Sequence, residues 1–186
     1  MAVRKEQPVS YQEFLDLEMD FDELTRAELI YGRIYMMATP STRHQAVLRN
    51  MAGQLFNHLA GKKCKMFFSP FAVRLNDDTE VQPDLVVICD PNKLTGRGCD
   101  GAPDLVVEIL SPSTSYHDKH TKFMLYLNAG VPEYWIVDPE ANVITAFRLT
   151  GSGYTAATFG SACTATINAL PGFEMNLAAV FAEDNE

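Results

Sequence analysis

The sequence predicts a mixed α/β (α+β) fold, a central β-sheet flanked by helices. Two observations carry this. DLVVIC (84–89) and DLVVEIL (104–110) are nearly continuous apolar runs, the pattern of central strands covered on both faces. Around them lie stretches with helical spacing, the longest at roughly 42–60. A length of 186 residues fits one domain or slightly more. The expectation is a single domain over 1–186, with a core at about 25–140 and a C-terminal β extension at about 141–182.

The elements follow in order. SYQEFLDLE opens with Ser10 ahead of Phe14 and Leu17 at helical spacing, which predicts a short helix. ELIYGRIYMM (28–37) alternates and pivots on Gly32, which predicts a strand or tight hairpin. Ser41 or Thr42 then caps the long helix. Val47, Leu48, Met51, Leu55, Phe56 and Leu59 recur at helical spacing, and Gly61 ends it. KMFFSP (65–70), FAVRL (71–75) and the two apolar runs read as strands. The glycine-rich segment between those runs reads as an exposed loop. A helix is expected at roughly 115–129, stopping at Gly130. YWIVD (134–138), VITAFRL (143–149) and GYTAATF (153–159) read as further strands, and PGFEMNLAAVF as a closing turn or helix.

Composition narrows the function classes. Hydrophobic residues make up 47% of the chain, enough for a packed core. No apolar run approaches the ~18 residues that a membrane helix needs, and the first residues lack the apolar stretch of a secretory signal. Cys64, Cys89, Cys99 and Cys163 form no CxxC pair, which argues against a zinc site. Cys64 and Cys89 sit in apolar runs and read as small core residues of a reduced, cytoplasmic protein. The formal charge is 15 − 24 = −9. It opposes tight non-specific nucleic-acid binding, although a local basic surface and a metal ion can offset it. The GKKCK run (61–65) is a small basic patch of this kind, or simply a solvated loop.

Glu108 is the most conspicuous residue. It stands inside DLVVEIL, where a charge is costly unless it is paired or binds a metal. Asp104 lies four residues away on the same run, roughly 13 Å at ~3.3 Å per residue, too far to share one ion. Asp84 lies on a separate run. If the two runs pair side by side, both carboxylates can meet at one edge. Asp104 then reads as a strand-start residue beside a proline turn. Magnesium suits such a pair, because it takes one or two carboxylates plus waters and substrate oxygens.

Gln82-Pro83-Asp84 followed by Glu108-Ile109-Leu110 resembles the PD-(D/E)XK nuclease signature with its lysine position altered. More narrowly, the chain resembles the Uma-two family of restriction endonucleases. The matching stretches run from Glu28-Leu29-Ile30-Tyr31-Gly32 through Arg43-His44 and Ala102–Ser113 to Gly130–Pro139 and Pro171-Gly172-Phe173, the run from 102 to 139 being the specific part. The resemblance implies a restriction-endonuclease-like core and a DNA phosphodiesterase dependent on Mg2+ or Mn2+. It implies metal ligation by Asp84, Glu108 and the main-chain carbonyl of Ile109, and by analogy a homodimer. Where the superfamily carries its lysine, this chain has Leu110, which can neither carry charge nor donate a hydrogen bond.

The resemblance implies that the following helix supplies the lysine, which maps onto Lys122. Asp118, Lys122 and Tyr126 recur every four residues and share one helix face. Lys119 is the rival, but it points about 60° away around the helix. Plainer accounts exist: Ser115-x-x-Asp118 fits a capping box, Asp118 and Lys122 fit an i,i+4 ion pair, and Tyr126 fits a core residue. Glu28 matches a position where the superfamily often has a further acid near the metal; otherwise it is a solvated strand-edge charge. His44 reads as a phosphate contact or a polar helix-start residue, and His117 and His120 as solvated. Two other functions stand beside the nuclease: a catalytically degenerate module that binds a partner or nucleic acid, motivated by Leu110, and a metallohydrolase of small phosphoesters, motivated by the acidic charge.

Overall fold

The computed structural model describes residues 8–19, 26–111 and 118–183, with residues 118 and 119 as backbone only. The first half comprises α1 (Tyr11–Glu18), β1 (Ala27–Ile30), β2 (Arg33–Met36), α2 (Thr42–Leu59), β3 (Lys65–Phe68), β4 (Ala72–Asn76), β5 (Thr79–Val81) and β6 (Leu85–Ile88). A 3-10 turn (Pro91–Lys93), β7 (Gly98–Asp100) and β8 (Leu105–Ile109) follow. A π-turn (Asp118–Lys122) leads into α3 (Phe123–Asn128), then β9 (Glu133–Asp138), β10 (Val143–Thr150), β11 (Gly153–Gly160), β12 (Thr164–Thr166), β13 (Glu174–Asn176) and α4 (Leu177–Val180). Ser115 and His117 lie outside the described residues.

Local chemistry sets several of these boundaries. The Ser10 hydroxyl accepts from the Glu13 amide while Glu13 reaches back to Ser10, a complete capping box for α1. The Ser41 hydroxyl caps α2 through the His44 amide. Tyr31 (φ 50°) and Gly32 (φ 71°) form the two-residue turn between β1 and β2, and both need the left-handed region. A side chain at Gly32 would also run into Pro8.

The class expected from sequence holds, with the described strands divided over two mixed sheets and an antiparallel pair of β12 and β13. One has five strands in the order β2-β1-β5-β4-β7, the other six in the order β11-β10-β9-β8-β6-β3. Among the described residues, β4 with β7 and β8 with β9 pair parallel and the other strand pairs are antiparallel. Alternation along the six-stranded sheet divides the core. Leu85, Val87, Leu105, Val107, Trp135 and Val137 pack with Val47, Met51 and Leu55 of α2. Val86, Ile88, Val106, Tyr134 and Ile136 face the other way, toward Leu125 and Tyr126 of α3 and Ile30, Val73 and Val81 of the five-stranded sheet. Both faces of β6 and β8 are therefore covered, as their apolar runs require. β10 and β11 continue the same sheet, and fully buried Glu133 ties the segment after them down. Glu133 accepts from the Trp135 indole N–H (2.7 Å), the Asn168 amide (2.7 Å) and Arg148 (3.4 Å).

Three expectations need correction. Cys64 and Cys89 are not separate thiols but a disulfide. The β3–β6 register pairs Lys65 with Ile88, so the next pair outward is Cys64 with Cys89. The segment between the apolar runs is not all exposed loop. Gly98 and Cys99 are buried in β7, where a Cβ at Gly98 would fall on the Ala72 carbonyl. Phe56 is 66% exposed, because its neighbour Leu55 takes the core-facing position on α2.

Candidate active site

The chain crosses from one sheet to the other at Gln82-Pro83-Asp84, between β5 and β6. The site is built at that junction. The β6–β8 register pairs Leu85 with Val107, and one step further it sets Asp84 opposite Glu108. The Asp84 carboxylate turns across the strand end. Its Oδ2 accepts the Ile109 amide at 2.7 Å and meets His44 Nε2 at 3.1 Å. Asp104, by contrast, accepts the Cys89 amide at 2.7 Å at the far end of β6, the strand-start role expected of it.

Glu108 follows the alternation of Val106 and so points toward α3 and the five-stranded sheet. Lys122 Nζ meets it there, 2.9 Å from Glu108 Oε1 and 3.0 Å from Glu28 Oε1. Glu28, on β1, also accepts the main-chain amide of Gln82 at 2.9 Å. Tyr126, one helical turn beyond Lys122, donates its hydroxyl to the same Glu108 oxygen at 2.7 Å. Glu28, Glu108 and Lys122 are each 4% exposed and Tyr126 is fully buried, so these charges interact through protein rather than water. Burial, then the Glu108 and Glu28 charges, hold the Tyr126 phenol well above its ordinary range, which keeps it a donor.

The structure thus joins Glu108, Lys122 and Glu28 by direct contact and sets Asp84 opposite Glu108 in strand register, with its carboxylate on His44 and the Ile109 amide. Glu28 is not a solvated strand-edge charge, because its partner arrives from the π-turn that leads into α3, 94 residues later. His44 stands at the helix start, as expected of it, but is only 5% exposed and lies against Asp84. His120 is exposed as expected. Leu110, at the superfamily's lysine position, is buried in the apolar layer with Val106 and Tyr126. The basic loop at 61–65 adjoins Lys65, which pairs with Ile88 at the other end of β6 from Asp84, roughly 13 Å away by strand rise.

Residues 11–178 match the sequence profile of Uma2, described as "Putative restriction endonuclease". The chain belongs to the Uma2 family. Relatives of this Uma2 chain include two uncharacterized Synechocystis proteins. One, slr1290, is 31% identical over 147 residues, covering 78% of this chain and 76% of its own. The other, sll1609, is 26% identical over 142 residues, covering 74% and 79%. A crystal structure from Anabaena variabilis, titled "a putative nuclease belonging to DUF820", matches with a TM-score of 0.78 at 19% identity, over 94% of this chain and 98% of that one. At that identity the likeness speaks to the fold, which is nuclease-like. Among the described residues no helix is long and apolar enough to cross a membrane.

Sequence reasoning did not single out His44 and Tyr126 as partners of the acids. The signal for Tyr126 was its four-residue spacing from Lys122. For His44 it was a polar residue on the apolar face that leads to Val47 and Met51.

Proposed function

We propose that this Uma2 protein is a metal-dependent endonuclease that hydrolyses phosphodiester bonds in DNA. The observation that carries the reading is Lys122 held between Glu108 and Glu28, with Asp84 in register beside Glu108. Three carboxylates against one ammonium leave a formal excess of two negative charges at the sheet junction, a deficit that a divalent cation would cancel. The donors are hard oxygens, which suit Mg2+ or Mn2+. Among the described residues no three His, Cys, Asp or Glu side chains form an enclosing metal cluster. Magnesium asks for less, one or two carboxylates with water and substrate filling the rest.

Asp84, Glu108 and the Ile109 carbonyl would hold the ion, which supplies Lewis acidity toward the phosphate when bound. The chain's own groups do the rest. Lys122 offers an ammonium to negative charge developing on the phosphate, a role that does not require it to lose its proton. Tyr126 and Lys122 together fix one Glu108 oxygen, and Glu28 keeps the ammonium in place. Two chains, one site for each DNA strand, are the assembly this reading calls for.

The rival reading is a degenerate module that keeps the fold and binds a partner. Leu110 and the burial of Lys122 favour it, since a neutralised, enclosed lysine also suits a purely structural ion pair. A cleavage time course on plasmid and short duplex DNA with Mg2+ or Mn2+ separates the two. The nuclease reading expects wild type to cut and D84A, E108A and K122A to lose cutting while retaining their circular dichroism. An inert wild type, or equal cutting by D84A and E108A, overturns it.

A further inference from the structure

His44 is the third residue of α2, yet it is 5% exposed and turned onto the sheet end. Its Nε2 stands 3.1 Å from Asp84 Oδ2, the oxygen that also accepts the Ile109 amide at 2.7 Å. Its other ring nitrogen, Nδ1, is buried and has no hydrogen-bond partner among the described residues. That combination selects a tautomer. A hydrogen on Nδ1 would be a buried donor with nothing to receive it, a cost of ~1–3 kcal/mol. A hydrogen on Nε2 lands on a carboxylate oxygen. The ring therefore donates through Nε2 to the Asp84 carboxylate.

Among the described residues, both donors to Asp84 converge on Oδ2. The Asp84 side chain remains 17% exposed, so the carboxylate is held from one side and open on the other. We propose that His44 is a positioning residue for Asp84. It is a helix-borne pin that fixes the rotation of the carboxylate and presents Oδ1 to a divalent cation. The inference rests on the metal-site reading above and extends it from the ligands to the group that aims one of them. Carboxylates that ligate metals are commonly oriented by such outer hydrogen bonds, and loss of one costs about 10–100-fold in metal affinity. A merely structural histidine would fill space under α2 and leave metal affinity untouched.

The test compares wild type, H44L and H44Q. Leucine keeps the apolar packing and removes the donor; glutamine restores an N–H near the position of Nε2. Mn2+ affinity is read by calorimetry and fold by thermal melting. The expected result is an affinity about 10–100-fold weaker in H44L, substantially recovered in H44Q, with both variants folded. In the metal-free protein, long-range 1H–15N correlation is expected to show His44 protonated at Nε2 and not at Nδ1. Equal affinity in wild type and H44L, or an Nδ1-protonated ring, overturns the role of His44 and leaves the metal site standing. A wild type that takes up no Mn2+ overturns both.

Discussion

Lys122→Met tests the arrangement at the sheet junction without any assumption about substrate. The ammonium lies 2.9 Å from Glu108 and 3.0 Å from Glu28, and all three side chains are about 5% exposed. Methionine matches the length and apolar stem of lysine, so packing around α3 survives. What remains is a pair of buried acids without their shared cation. Removing one partner of a buried ion pair costs about 3–5 kcal/mol, because the remaining charge is left uncompensated. In a chain of this size ~1 kcal/mol shifts the melting temperature by roughly 2–4 °C, so K122M is expected to melt roughly 6–20 °C below wild type in EDTA. Glu28→Gln keeps an oxygen for the Gln82 amide while removing one of the two charges. The double variant should therefore lose less than the sum of the single losses, a coupling of about 1–3 kcal/mol. Calorimetric melts of the four proteins give the cycle. A K122M midpoint within ~2 °C of wild type, or strict additivity, would refute the claim that these three charges form one buried unit.

Other expectations follow from the same geometry. Leu110→Lys restores the superfamily's lysine but places an ammonium in the apolar layer with Val106 and Tyr126; a loss on the order of 3–5 kcal/mol in denaturant unfolding is expected, with no gain in cleavage. Alkylation at pH 8 followed by mass spectrometry should mark exposed Cys163 and spare Cys99, whose thiol burial pushes up to about 11. Cys64 and Cys89 should label only after reduction and unfolding. Because the Cys99 and Tyr126 pKa values are raised in the fold, their contribution is complete below the unfolded values, about 8.5 and 10, and is lost as pH rises through the folded ones. Stability should thus fall from about pH 9 upward, and C99A should lessen that slope between pH 9 and 11.

Much of this architecture was legible in the sequence because it rests on strong local patterns. The runs at 84–89 and 104–110 announce buried strands, and an acid inside one of them needs a partner. That logic leads from Glu108 to Asp84 through the pairing of the two strands. What was hidden depends on chain segments far apart. Glu28 looks like an ordinary edge charge until the turn before α3 delivers Lys122. β5 and β7 are three residues each and carry polar side chains. Glu80, inside β5, is buried only because Tyr11 donates to it at 2.9 Å and Arg97 reaches it at 3.3 Å. The Cys64–Cys89 bond joins residues 25 apart that become neighbours only through the β3–β6 register. His44 sits at helical spacing from Val47 and Met51, so its burial was readable. Its partner was not, since Asp84 turns around a strand end that no periodicity describes.

The most direct measurement of the central claim is a calorimetric titration of Mn2+ into the wild-type chain, with D84A and E108A in parallel. The account predicts saturable binding by the wild type and its loss in each variant, with all three proteins folded. Binding that persists unchanged after either carboxylate is removed would contradict it.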